Sequence, residues 1–179
     1  MRTDFIDAMQ NKGLKIDRYG RCGLAPPECD GVDKQQHPCV VELLRPYKFY
    51  IALENSNCID YVTEKFYESL ISRMTVPIVL KRKTYVDIGA PPTSFIALDD
   101  FETLDDMIKF VNELSEYICI VESLHSYRAI PEHNDETGFC ELCRRLQMNS
   151  LGYTSYPDVR QWHANNQCDN YYGNHYLKK

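Results

Sequence analysis

Three short apolar runs separated by helix-like segments constrain the fold of this chain more than any other feature. The runs Lys48–Leu53, Val76–Leu80 and Ser94–Leu98 have the length and composition of buried strands. One helix is predicted over Thr63–Met74, with Thr63 as its cap, and another begins near residue 103. The order strand, helix, strand, strand, helix with short connections predicts an α/β domain with a mainly parallel sheet.

The two longer helical segments show the apolar spacing of a buried face. The first is expected to place four apolar side chains on its inner face: Phe66, Leu70, Ile71 and Met74. The second follows the capping-box pattern Thr103-x-x-Asp106 and repeats apolar residues over Leu104–Ile118. Shorter elements are predicted near the start of the chain: a helix over 1–12, a strand over Leu14–Tyr19 and a helix over Cys39–Leu44.

Length, charge and cysteine content restrict the class of protein. The chain has 179 residues, a formal net charge of -6 and eight cysteines. The length fits one domain or slightly more, and the mild acidity argues against a nucleic-acid binder. We expect no membrane contact by this segment, because no run approaches the ~18 apolar residues of a membrane helix. Many cysteines without an export signal suggest a piece of a longer, secretory protein.

The stretch from Tyr47 to Lys65 carries the strongest sign of a binding site. A buried strand ends in Glu54-Asn55-Ser56, and ligands of open α/β sheets bind beyond the carboxyl ends of strands. Lys65 in the first turn of a helix opposes the helix dipole, which makes better sense if an anion lies between them. Glu64 can then accept hydrogen bonds from sugar hydroxyls, while Asn55 and Tyr61 can donate to phosphate oxygens. The alternative is that Glu64 and Lys65 are ordinary solvated residues.

Several separate motifs along the chain resemble one enzyme family. They are Ile16–Gly23, Tyr47-Lys48-Phe49, Glu54-Asn55-Ser56, Asp60–Lys65, Val76–Val79, Pro91–Ile96 and Asp99-Asp100-Phe101. In sequence and spacing they resemble the α-1,3-fucosyltransferases, which are glycosyltransferases that use GDP-fucose. The resemblance covers about residues 14–147, and a match in several parts is more specific than a single motif.

The resemblance implies a fold and a set of donor contacts. It implies a GT-B enzyme with two Rossmann-like domains, of which this chain is the C-terminal, GDP-fucose-binding one over residues 1–147. Separately from the resemblance, the weak apolar periodicity toward the end of the chain predicts that residues 148–179 are a partly disordered C-terminal tail. By position, Arg21 and Lys65 would neutralise the diphosphate, Asn55 and Tyr61 would contact the phosphates, and Glu64 the ribose or fucose hydroxyls. The resemblance implies no metal and no cofactor besides the donor.

The resemblance also implies the reaction and its location. Fucose is expected to pass with inversion, in α-1,3 linkage, to N-acetylglucosamine of a glycoprotein glycan. In the family, the acidic general base and the membrane anchor lie upstream. We therefore expect no catalytic residue in this chain, donor binding without efficient transfer, and a place in the Golgi lumen as part of a type II membrane protein.

Two other functions remain open from the sequence. One is a GT-B transferase for another nucleotide sugar, and the other is a non-catalytic protein that kept the fold. The second is favoured by Lys81, which stands where the family pattern has glycine. The simplest interpretation of Lys81-Arg82-Lys83 is a solvated loop.

The cysteines allow several pairings. Cys29 or Cys39 is expected to pair with Cys58, which would staple the long loop near the donor site. Cys140-x-x-Cys143 fits a zinc half-site poorly, because the spacing of its candidate partners matches no standard finger. The resemblance implies a structural role for it, with bonds to upstream cysteines.

Overall fold

A computed structural model describes residues 2–20, 23, 29, 37–116, 144–148, 155, 157–164 and 167–177. Its six named helices are α1 (Arg2–Asn11), α2 (Pro38–Leu44), α3 (Glu64–Ile71), α4 (Arg82–Asp87), α5 (Leu104–Glu116) and α6 (Val159–Ala164). Residues 144–147 are also helical. None of the helices in these ranges is long and apolar enough to cross a membrane.

The sheet has three parallel strands, β1 (Phe49–Ile51), β2 (Val76–Val79) and β3 (Ile96–Ala97), in the order β1-β2-β3. The three predicted strands are thus confirmed, although each is shorter than its apolar run. The central strand β2 is buried along its whole length. The parallel α/β fold predicted from the alternation of strands and helices is confirmed.

Side chains from the two faces of the sheet enter two separate apolar clusters. On one face, Val76, Ile78 and Ile96 belong to a cluster with buried residues of α1 and α5. On the other face, Val79 and Ala97 belong to a cluster with α3 and α4. Alternate residues of a strand point to opposite faces, so helices cover both sides of this sheet, as parallel sheets require.

The buried face of α3 differs from the predicted one at two of its four positions. Ile71 is 68% exposed, whereas Phe66 and Ser69 are buried. The inner stripe therefore consists of residues 66, 69, 70 and 73. The buried hydroxyl of Ser69 has a hydrogen-bond partner, because it donates to the Phe66 carbonyl oxygen at 2.6 Å. Arg73, which is fully buried, stacks on the Tyr50 ring at 4.5 Å from its centre. Apolar spacing missed this stripe because two of its members are polar.

Two other local predictions are wrong. Residues 14–18 form no strand, and a hydrogen bond from Gln10 Nε2 to the Ile16 carbonyl oxygen holds this segment against α1. The disulfides join Cys29 to Cys39 and Cys58 to Cys168, not Cys58 to either loop cysteine. The second bond brings together two residues that also form an antiparallel bridge.

Residues 167–177, which we call the C-terminal segment, pack on the core where the sequence predicts loose order. Tyr176 is 5% exposed, and its hydroxyl donates to the Phe101 carbonyl oxygen at 3.1 Å. Gly173 lies so close to Phe5 that a β-carbon at this position would approach the ring to 2.2 Å. Single aromatic contacts and a disulfide hold the segment, and neither produces a periodic apolar pattern.

Candidate functional site

Glu54 organises the polar cluster that follows β1. Its side chain is only 6% exposed. One carboxylate oxygen accepts the Thr63 backbone N–H at 2.7 Å, and the other accepts the Thr63 hydroxyl at 2.7 Å. Thr63 therefore occupies the predicted cap position of α3, but its hydroxyl bonds Glu54 and makes no cap bond to the helix. These bonds close the loop between β1 and α3 and fix where the helix begins.

Lys65 lies beside this carboxylate in the first turn of α3. Its Nζ is 2.8 Å from Thr63 Oγ1, 3.2 Å from Glu64 Oε1 and 3.3 Å from Glu54 Oε2. Burial by itself lowers the pKa of the ammonium, but the charges and hydrogen bonds of Glu54 and Glu64 outweigh it and raise that pKa. Lys65 is therefore a charged, well-positioned cation with two carboxylate partners.

Glu64 is the more exposed of the two carboxylates beside Lys65. Its side chain is 48% exposed, against 6% for Glu54. Partial burial favours the neutral acid, yet hydrogen bonds from Lys65 and from its own backbone N–H lower the pKa of Glu64 overall. The carboxylate is ionised at neutral pH and available to accept further hydrogen bonds.

A cleft adjoins this cluster at the carboxyl ends of β1 and β2. Its lining includes Arg2, Glu54, Tyr61, Lys81 and Tyr85. Tyr85 is buried, and burial raises the pKa of its phenol well above the ordinary value. The position agrees with the rule that α/β sheets bind ligands outside the carboxyl ends of their strands.

The predicted site residues fall at different distances from this cleft. Tyr61 lines it and is 37% exposed. Asn55 is exposed, and its Oδ1 accepts a hydrogen bond from Arg2 Nη1 at 2.9 Å. Glu64 and Lys65 are connected to the cleft through Glu54, which lines it. Arg21 lies outside the described residues.

The simplest interpretation of the three consecutive cations after β2 was a solvated loop, and it is wrong. Lys81 lines the cleft, with its Nζ 4.7 Å from the centre of the Tyr172 ring. Arg82 begins α4 and forms an ion pair with Asp100. Only Lys83 is largely exposed, and it pairs with Asp87 one turn further along α4.

Sequence reasoning missed three contributors to the site: Glu54, Arg2 and Lys81. Glu54 had a visible signal, since it is the first polar residue after a buried strand. Arg2 had none, because the packing of α1 against the strand ends depends on the tertiary fold. Within the described residues, no group of three or more His, Cys, Asp or Glu side chains is arranged to hold a metal ion. Cys140 and Cys143 lie outside the described residues.

Comparisons with known proteins agree with this architecture. The chain is 43% identical to the α-(1,3)-fucosyltransferase fut-6 of Caenorhabditis elegans, over 98% of this chain and 46% of that protein. It is 31% identical to human 4-galactosyl-N-acetylglucosaminide 3-α-L-fucosyltransferase FUT5, over 83% of this chain and 38% of that protein. The chain thus spans about half the length of the curated relatives it matches, or less.

A solved structure and a family profile identify the fold and the family. The structure, described as a crystal structure of α1,3-fucosyltransferase with GDP-fucose, superposes with a TM-score of 0.58 at 19% identity. The superposition covers 88% of this chain and 45% of that one, and it supports the fold. The profile "Glycosyltransferase family 10 (fucosyltransferase) C-term" matches residues 1–162. The chain therefore belongs to the glycosyltransferase family 10 fucosyltransferases and corresponds to their C-terminal part.

Proposed function

We propose that this chain is the donor-binding domain of an α-1,3-fucosyltransferase and that it binds GDP-fucose. The observation that carries the proposal is the cluster of Glu54, Thr63 and Lys65 beside a cleft lined by two further cations. Membership of the family and relatives named α-(1,3)-fucosyltransferases support the donor assignment.

The charges of the cleft suit an anionic donor. Glu54 is the carboxylate that lines it, and Lys65 lies 3.3 Å from that carboxylate, so this pair leaves no net negative charge at the cleft. Arg2 and Lys81 also line the cleft, and neither forms an ion pair with a carboxylate among the described residues. The remaining charge is positive, as a diphosphate requires.

The proposed contacts follow the predicted site residues. Lys65 and Arg21 neutralise the diphosphate, and Asn55 and Tyr61 donate to its oxygens. Glu64 accepts hydrogen bonds from sugar hydroxyls, for which its exposed, ionised carboxylate is suited. We assign these contacts to residues 1–147 as one nucleotide-sugar-binding domain.

In the proposed reaction, the bond from the fucose anomeric carbon to the phosphate oxygen breaks. A bond from that carbon to an acceptor hydroxyl oxygen forms, and the hydroxyl proton passes to a base outside this chain. GDP leaves with increased negative charge, so fixed cations stabilise the transition state more than the bound donor. The proposed acceptor is N-acetylglucosamine of a glycoprotein glycan.

The proposed setting is the Golgi lumen, within a type II membrane protein whose anchor and acceptor domain lie in another part of the polypeptide. The disulfides Cys29–Cys39 and Cys58–Cys168 support an oxidising compartment.

Calorimetry on the 179-residue chain tests the donor assignment. GDP-fucose should bind, and it should bind more tightly than GDP-mannose or a UDP-sugar. Lys65→Met should weaken GDP binding about tenfold or more, because a hydrogen bond to a charged group is lost. Lys83→Met is the matched control, since Lys83 is exposed and paired outside the cleft, and it should leave affinity unchanged.

Two outcomes contradict the proposal. Tighter binding of a UDP-sugar would assign the domain to another donor. Unchanged GDP affinity in Lys65→Met, with the unfolding midpoint preserved, would show that the cluster after β1 is not the phosphate site.

A further inference from the structure

We infer that Lys81 is a further anion-binding residue of the cleft, and that Tyr172 of the C-terminal segment positions it toward the donor diphosphate. The inference rests on the proposed function, because it assigns a second cation to the same phosphates.

Lys81 reaches the cleft from the end of the central strand. It follows Leu80 directly after β2 and lines the cleft together with Arg2. The neighbouring cations are neutralised by the protein: Arg82 pairs with Asp100 and Lys83 pairs with Asp87. In the part of the chain that the structure describes, no carboxylate lies within ion-pairing distance of Lys81 Nζ, so its charge remains available to a ligand.

An aromatic ring holds this ammonium in place. Lys81 Nζ lies 4.7 Å from the centre of the Tyr172 ring, within the range of a cation–π contact. A ring attracts the cation without cancelling its formal charge, and it leaves the N–H donors on the far side free for an anion.

Asp99 holds both the Tyr172 side chain and the backbone next to Lys81. The Tyr172 hydroxyl donates to Asp99 Oδ2 at 3.1 Å, and Asp99 Oδ1 accepts the backbone N–H of Arg82 at 2.8 Å. Burial and the charge of Asp99 raise the pKa of Tyr172 to about 12, so the phenol keeps its proton and its bond. The ring and the lysine backbone are therefore fixed relative to each other by one carboxylate.

The C-terminal segment is also tied to two other residues of the cleft lining. Cys168 bonds Cys58, and the Asp169 backbone N–H donates to the Asn57 carbonyl oxygen at 2.8 Å. Cys58 and Asn57 both line the cleft. The segment that carries Tyr172 is thus anchored at the site it is inferred to shape.

The test compares GDP with guanosine, which lacks the phosphates. In the 179-residue chain, Lys81→Met should weaken GDP binding about tenfold and leave guanosine binding unchanged, while Lys81→Arg should largely retain GDP affinity. Lys83→Met, two residues further along the chain, serves again as the control. Equal GDP affinity in the wild type and Lys81→Met overturns the inference but leaves the proposed function standing. Absence of GDP binding by the wild-type chain overturns both.

A double-mutant cycle tests the positioning role. Tyr172→Leu should weaken GDP binding in the wild-type background and add little when combined with Lys81→Met. A purely structural effect of Tyr172→Leu would weaken the binding of both GDP and guanosine, in the wild-type and in the Lys81→Met background. That result would overturn the role of the ring. Tyr172→Phe keeps the ring in case the leucine variant fails to fold but loses the hydrogen bond to Asp99, so it should weaken GDP binding less than Lys81→Met does. A loss as large as that of Lys81→Met would also overturn that role.

Discussion

The two disulfides offer a matched pair for testing how the C-terminal segment is held. Cys58 and Cys168 are separated by 110 residues, whereas Cys29 and Cys39 are separated by 10. The chain-entropy relation assigns about 4.8 kcal/mol to the first loop and about 2.7 kcal/mol to the second, from the separations 110 and 10. We therefore expect removal of the long-range bond to cost about 2 kcal/mol more.

The comparison uses two double variants, Cys58→Ala with Cys168→Ala and Cys29→Ala with Cys39→Ala. Both lose two sulfur atoms and gain two alanines, so the change in side-chain chemistry is matched. Urea unfolding followed by circular dichroism at about pH 6, where thiol–disulfide exchange is slow, gives the two free energies of unfolding.

The affinity for GDP is a second readout of the same pair. The long-range bond ties the cleft loop to the segment of Tyr172, so its loss should also weaken GDP binding, and loss of the short-range bond should not. Equal stability losses, or a larger loss for the short-range pair, would refute the loop-entropy argument. Unchanged GDP affinity without the long-range bond would show that this bond does not shape the cleft.

Three further predictions concern single contacts. Thr103→Ala removes the hydroxyl that accepts an N–H of the first turn of α5 at 3.2 Å, and it should cost about 1 kcal/mol in urea unfolding. The control Thr93→Ala, at an exposed site, should stay within about 0.5 kcal/mol. Gly173→Ala would place a β-carbon 2.2 Å from the Phe5 ring and should cost about 1–3 kcal/mol, a loss that adding Phe5→Leu should partly reverse. Because the folded-state pKa of Glu64 is lowered, its stabilising effect is present above about pH 4.5 and lost as the pH falls. The stability difference between wild type and Glu64→Gln, at most about 1 kcal/mol for this half-exposed pair, should therefore shrink in unfolding curves below that pH.

Local periodicity predicted the regular elements because their burial follows the backbone repeat. The apolar runs of the three strands and the stripe of α5, with Leu104, Met107 and Val111 buried, could all be identified in this way. The stripe of α3 could not, because its inner face includes the hydroxyl of Ser69. A polar residue at a buried position is invisible to a pattern of apolar spacing, and its burial depends on partners supplied by the tertiary fold.

The cysteine pairing and the C-terminal segment illustrate the same limit at longer range. The sequence places Cys58 in the loop after β1, but its partner, Cys168, lies 110 residues away. Tyr172 and Tyr176 then dock by single contacts with Asp99 and with the backbone of Phe101. Such contacts have no period, so only the assembled structure reveals that this segment contacts residues that line the cleft.

The pairing of Lys65 changes how its predicted role must be understood. Sequence reasoning explained the lysine in the first turn of α3 by an anion beside it, but Glu54 and Glu64 both already lie within 3.3 Å of it. The two partners are not equivalent. Both oxygens of Glu54 are held by Thr63 in a buried position, whereas Glu64 is half-exposed and loses little by turning to water. Under the proposed function, a phosphate replaces Glu64 at the lysine while Glu54 keeps Lys65 charged and in place, and the released Glu64 carboxylate becomes available to the sugar hydroxyls.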